Sequence, residues 1–167
     1  MFSRAHIVRL TVLAAGIVLV LGVGRASAQT TASTSFNVTA TVVNRCTISA
    51  AALAFGSYDP TSATPVTGQS DLTVSCTRGA ITWTGLDNGQ HFGTSRQMIG
   101  NTTEMLPYTL YRESSRTNQW GSTQATGVAW TSTGRAPHTL TVYGTIPAGA
   151  DVSAGAFTDT VQATVNF

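Results

Sequence analysis

Two stretches of this chain alternate strictly between apolar and polar residues. In the first, Phe36, Val38, Ala40 and Val42 take every second position, with Asn37, Thr39 and Thr41 between them. In the second, Val161, Ala163, Val165 and Phe167 alternate with Thr160, Gln162, Thr164 and Asn166. A period of two sends successive side chains to opposite faces of a strand, so each stretch predicts a strand with one apolar and one polar face. Between them lie further short candidates: Cys46 to Ser49, Leu53 to Phe55, Gly127 to Thr131 and Thr139 to Ile146. Asp71 to Thr77 aligns Leu72, Val74 and Cys76; Ile81 to Leu86 aligns Ile81 and Trp83; Leu106 to Arg112 aligns Leu106, Tyr108 and Leu110. Asp87-Asn88-Gly89 supplies residues suited to the positive φ of a tight turn. Gly85 to Glu104 is polar and reads as the longest loop. The five prolines fall near strand edges or in loops, where a missing N–H does least harm. Six to eight strands without a long helix predict an all-β protein, a two-sheet antiparallel sandwich, with no repeat and no internal linker.

The first residues follow a different pattern. Arg4, His6 and Arg9 form a basic head, Leu10 to Val23 an apolar run of fourteen residues, and Ala26-Ser27-Ala28 a small-x-small motif. That order is the pattern of a Sec signal peptide cut after Ala28. The run is shorter than the roughly 20 apolar residues a spanning helix needs. Membrane contact is therefore expected only through the cleaved leader, residues 1–28, and the protein is expected in an exported compartment. Of the 167 residues, cleavage leaves 139, with six Arg against seven acidic residues.

Composition narrows the function. Only 10% of residues are charged, Lys is absent, and Thr occurs 29 times. Too few cations exist to neutralise a run of phosphates, which argues against nucleic acid as a partner. Cys46 and Cys76 are an even pair in an exported chain and read as a disulfide, worth about 3–4 kcal/mol for a loop of this size. As metal ligands they lack the His partners needed to complete a tetrahedral set. His91 and His138 are the only histidines after the leader, and no nucleophile elbow, phosphate loop or dinucleotide fingerprint accompanies them. No catalytic residue, metal site or cofactor is therefore assigned. The acids Asp59, Asp71, Asp87, Glu104, Glu113, Asp151 and Asp159 are scattered, mostly beside turn residues whose N–H groups they can cap. Trp83, Trp120 and Trp130 and the tyrosines read as packing residues rather than a sugar-binding platform. Asn37-Val38-Thr39 and Asn101-Thr102-Thr103 match the glycan acceptor pattern, which is easily met in a Thr-rich chain.

The two ends complement each other. The last amphipathic strand runs to Phe167, so nothing follows it to cover the final gap of an immunoglobulin-like core, while residues 34–43 form a surplus amphipathic strand. The sequence resembles the spore coat protein U family, which includes the Csu-type pilins of the archaic chaperone–usher pathway. The likeness rests on the alternating strand before Cys46-Thr47-Ile48, on Leu72 to Cys76, and on Tyr108-Thr109-Leu110-Tyr111-Arg112. It rests also on Ser115-Arg116-Thr117-Asn118, on Tyr143-Gly144-Thr145-Ile146-Pro147, and on the ending Thr164-Val165-Asn166-Phe167.

That resemblance implies an incomplete immunoglobulin-like antiparallel β-sandwich that lacks its last strand and carries an N-terminal donor strand. The organisation expected is a leader (1–28), a donor-strand segment (29–43) and a pilin-like sandwich (44–167). Phe36, Val38, Ala40 and Val42 would fill the groove of a neighbouring subunit, whose edge is the strand bearing Val161, Ala163, Val165 and Phe167. The partners implied are a periplasmic chaperone, an outer-membrane usher and further pilin subunits. The function implied is a structural pilus subunit supporting attachment and biofilm formation, displayed at the cell surface. A spore- or cyst-coat protein and a monomeric surface- or carbohydrate-binding module are the competing readings.

Overall fold

The computed structural model describes residues 28–100 and 103–167. The expected leader lies outside the described residues except for Ala28, and so do Asn101 and Thr102 of one glycan-acceptor match. The chain divides into two units, Met1–Thr39 and Ala40–Phe167. In the first, residues 28–39 have no strand assignment and are exposed throughout.

The second unit is all β, with no helix among the described residues. Its strands are β1 (Cys46–Ala50), β2 (Val66–Cys76), β3 (Ile81–Leu86), β4 (Arg96–Ile99), β5 (Met105–Tyr111), β6 (Val128–Thr131), β7 (His138–Ile146) and β8 (Ala163–Asn166). They form two antiparallel sheets, of order β1-β2-β7-β5-β4 and β6-β3-β8. Alternation works as expected in the larger sheet. Leu72, Val74 and Cys76 of β2, Leu106, Tyr108 and Leu110 of β5, and Leu140, Val142 and Ile146 of β7 all point inward and are buried. Thr67 and Thr73 of β2 and Thr139 and Thr145 of β7 take the opposite face, where cross-strand Thr pairs suit a polar sheet surface.

In β3 the expected face is reversed. Ile81 is 78% exposed, while Thr82 and Thr84 are buried. For Thr82 a hydrogen bond makes this tolerable, its hydroxyl donating to the Trp130 carbonyl at 2.8 Å; beside it the Thr84 backbone carbonyl accepts the Trp120 indole N–H at 2.8 Å. The expected long loop at 85–104 contains β4. Its inward residue is Arg96, only 6% exposed, which hydrophobic patterning assigns to solvent. The guanidinium stays inside by donating to the carbonyls of Asp87, Leu86 and Trp120. Gly89 does take a positive φ of 77°, but no hairpin forms there, because β3 and β4 belong to different sheets. Leu53 to Phe55 is not a strand, and β2 begins at Val66, earlier than its apolar core positions indicate.

One side of the sandwich is stitched shut. The N–H of Trp120 donates to Leu110 of β5, and the N–H of Leu86 of β3 donates to Gly121. The segment 118–121 thus bonds to both sheets, and the Trp120 side chain, fully buried, fills the space between them. On the opposite side β1 and β8 approach one another, with Cα atoms of the two strands within 8 Å, but no backbone ladder joins them.

Candidate functional site

β1 pairs only with β2, and β8 only with β3. Each therefore presents an edge of unpaired backbone groups toward the side on which the sandwich is open. Between those edges lies a cleft of about 530 Å³. Its floor is the core itself: Leu72, Leu110 and Val142 of the larger sheet and Leu86 of the smaller one. Ile48 and Ala50 form the β1 wall, and Val161 and Ala163 the β8 wall. Burying such surface is worth about 25 cal/mol per Å², so an apolar cleft between two open edges is poised to take up an apolar strand.

The two walls are anchored differently. Cys46 and Cys76 are disulfide-bonded and sit opposite one another in the β1–β2 register, which clips the start of β1 to the sheet. The chain just before β1 is tied to the same place, because the Arg45 N–H donates to the Thr77 hydroxyl and the Thr77 N–H donates to the Arg45 carbonyl. On the other wall, Thr158 pairs with Ile99 at the end of β4, after which the chain crosses to join β3 as β8. Asp159 holds that crossing. Its carboxylate side chain is 2% exposed and accepts from the Tyr108 hydroxyl at 2.6 Å, from the Gln90 N–H at 3.0 Å, and meets His91 Nδ1 at 3.1 Å. Burial alone would raise its pKa, but the hydrogen bonds from Tyr108, His91 and the N–H groups of Thr160 and Gln90 outweigh burial and hold it below the usual carboxylate value. Burial, followed by the adjacent Asp159 carboxylate, pushes the Tyr108 phenol far above its ordinary value, so it remains a donor.

The sequence-derived positions fall as follows. Val161 and Ala163 line the cleft, Val165 packs against the core, and Phe167 is 58% exposed beyond the end of β8. Phe36, Val38 and Val42 are each 83% exposed, Val43 is 67% exposed, and Ala40 is exposed as well. No strand ladder includes residues 34–43, which carry their apolar face unpaired. Asp59 and Asp87 cap N–H groups, as turn acids do: Asp59 accepts from Thr61, and Asp87 from Gly89 and Gln162. His138 stacks on Trp130 at 4.5 Å. No group of three or more His, Cys, Asp or Glu that could hold a metal occurs among the described residues. Sequence reading overlooked Asp159, Tyr108, Phe55, Met98 and Phe157 as cleft residues. Asp159 is one acid among seven in the sequence, with no local motif to single it out.

The family model described as Spore Coat Protein U domain matches residues 32–164. Protein U of Myxococcus xanthus is 35% identical over 154 residues, covering 82% of this chain and 86% of that protein. Among solved structures, the chain resembles the CsuC–CsuE chaperone–tip adhesion subunit pre-assembly complex from the archaic chaperone–usher Csu pili of Acinetobacter baumannii. The TM-score is 0.56 at 27% identity, and the likeness covers 76% of this chain and 41% of the chain it matches.

Proposed function

Since the chain belongs to the spore coat protein U domain family, we propose that it is a structural, non-catalytic subunit of a chaperone–usher pilus that polymerises by donor-strand exchange. Residues 34–43 of one copy fill the cleft between β1 and β8 of the next. The observation that carries this reading is the cleft itself, an opening onto the core between two unpaired edges, in a chain that also exposes an unpaired amphipathic segment. Seating Phe36, Val38 and Val42 would contribute about 1.5–3 kcal/mol each. Ladder bonds along a β edge add about 0.5–1.5 kcal/mol apiece. Together these exceed what ordering a ten-residue segment needs only when most of the ladder forms, which favours a full-length strand over a partial one.

On this reading residues 1–28 are the export leader, 29–43 the donor segment and 44–167 the sandwich. A periplasmic chaperone covers the cleft after export, an outer-membrane usher exchanges it for the next subunit, and the product is a surface fibre serving attachment and biofilm formation. A coat layer assembled by the same exchange is the second reading, favoured by the family's description as a Spore Coat Protein U domain; a chaperone gene and an usher gene beside this one would decide for the pilus. The direct test deletes residues 29–43 and co-expresses chaperone and usher. Donor-strand exchange predicts a subunit still recovered with its chaperone but no longer forming ladders that resist mild SDS. Unchanged ladders would refute it, and so would loss of the folded sandwich, which would mean that the segment closes its own body.

A further inference from the structure

We propose that Phe55 is the stop of this acceptor cleft, a side chain that the chain places in its own groove and that sets how far an incoming strand can seat. The inference rests on the donor-strand reading above and concerns which strands fit.

Gly68 of β2 and Gly144 of β7 are register partners on the inner face of the larger sheet. Together they leave a notch without side chains, and Leu53 and Phe55 lie in it. A Cβ on Gly144 would come within 2.7 Å of the Phe55 ring, and one on Gly68 within 3.2 Å of both Phe55 and Leu53. The ring also meets Tyr108 edge-on, with centroids 6.2 Å apart and planes at 61°. Phe55 is thus bedded against two strands while lining the cleft. It is one of four long or aromatic side chains there, with Met98, Tyr108 and Phe157, whereas Ala50, Ala51, Ala52 and Ala163 leave the walls low.

The notch marks one end of the cleft. Gly68 lies eight residues before Cys76 along β2, so Phe55 sits at the end away from the disulfide. β8 runs from that end toward the other: Ala163 pairs with Leu86, and Asn166 with Trp83 nearer the start of β3. β1 runs opposite to β8, so a donor strand between them is antiparallel to one and parallel to the other; the alternating run 161–167 matches 36–42 in length, which favours the antiparallel ladder on β8. The donor's inward positions then meet those of β8 in reverse order, with Phe36 beside Phe167, Val38 beside Val165, Ala40 beside Ala163 and Val42 beside Val161. Val42 arrives at Phe55. A β-branched residue fits against the stop, and a larger one collides with it.

The experiment measures binding of fluorescein-labelled peptides of residues 34–43 to the full chain by anisotropy, at sub-micromolar protein. Wild type should bind the native peptide at least about tenfold more tightly than the V42F peptide, the usual scale of an overpacking penalty. F55A, which opens the end of the cleft, should reverse that preference. F55L, which retains side-chain contact with the notch, should give an intermediate ratio and guards against a folding defect in F55A. G144A, which lifts the ring into the cleft, should weaken the native peptide, and F55A should relieve that loss in the double variant. If wild type binds the native peptide but the V42F ratio is the same in wild type, F55L and F55A, Phe55 is no stop and the inference is overturned. If wild type binds neither peptide, the donor-strand reading fails and takes this inference with it.

Discussion

At the scale of single residues, the acids of this chain act as organisers of backbone. Glu113 accepts from the N–H groups and side chains of both Thr117 and Asn118 and, at 3.5 Å, from the Ser115 hydroxyl, a loop knot in which one carboxylate oxygen serves five donors. The N–H of Asn118 is the largest contributor, desolvation opposes it, and the remaining bonds from Thr117 and Asn118 bring the Glu113 pKa down to about 2. Asp159 is likewise held below its ordinary value, with the Tyr108 hydroxyl as the strongest of its donors. A depressed carboxylate pKa stabilises the fold above the unfolded-state value, near 4, and that contribution disappears as pH falls through the folded-state value. Melting temperature should therefore drop between about pH 5 and pH 2, and the E113Q and D159N variants should each flatten that drop. A slope unchanged in both variants would remove these residues from the account. D159N should also cost about 1.5–3 kcal/mol at neutral pH, the range for a hydrogen bond to a charged group, read as a shift of the denaturation midpoint. Neither residue was legible in the sequence as more than a turn acid. The donors on Asp159 come from positions 51 and 69 residues away in the chain, and local pattern carries no record of them.

At the scale of elements, the closed side of the sandwich holds the fold together, and on the donor-strand reading the open side serves assembly. Trp120 is fully buried at the closed side, with its indole N–H on the Thr84 carbonyl and its own carbonyl receiving the Arg96 guanidinium. W120A should cost about 3–5 kcal/mol and lower the yield of folded chain in every context. Val38, at 83% exposure, supports nothing in the single copy, so V38D should leave the isolated chain's melting unchanged. Placed in a neighbour's apolar cleft, the same carboxylate would be buried without a partner, and ladders should vanish from an SDS gel. Equal effects of W120A and V38D on monomer stability would contradict this division. Alternation made β2, β5, β7 and β8 readable because their core faces are aliphatic or aromatic. It misled in β3 and β4 for one physical reason: the Thr82 hydroxyl and the Arg96 guanidinium are buried on backbone carbonyls, and sequence pattern cannot show a distant acceptor. The open side was legible only through the surplus amphipathic run 34–43 and the resemblance that runs with it. Its lining was not, since Leu53 to Phe55 and Phe157 to Thr160 come from segments without strand periodicity.

At the scale of the whole molecule, the question is how much of its stability the single copy possesses. An immunoglobulin-like sandwich that leaves a cleft of about 530 Å³ open onto its core forgoes part of the burial on which domains of this size depend. Any strand that binds the folded state and not the unfolded one must then raise stability by mass action, by about 2.7 kcal/mol at a hundredfold excess over its dissociation constant. The native 34–43 peptide should therefore raise the melting temperature of the chain in a dose-dependent way, by several degrees at saturation for a domain of this length. A peptide of the same composition with Phe36, Val38 and Val42 placed next to one another should do far less, because no strand register then puts all three on the core face. The disulfide gives an independent handle on the same effect. It joins Cys46 of β1 to Cys76 of β2, so it holds one wall of the cleft in place before any strand arrives. The paired C46S/C76S variant should melt lower and bind the peptide more weakly, yet gain at least as many degrees from a saturating dose, because the peptide then restrains a wall that the disulfide no longer holds. If the variant bound the peptide as tightly as wild type, β1 would keep its place without the clip, and the disulfide's role would be confined to the unfolded chain.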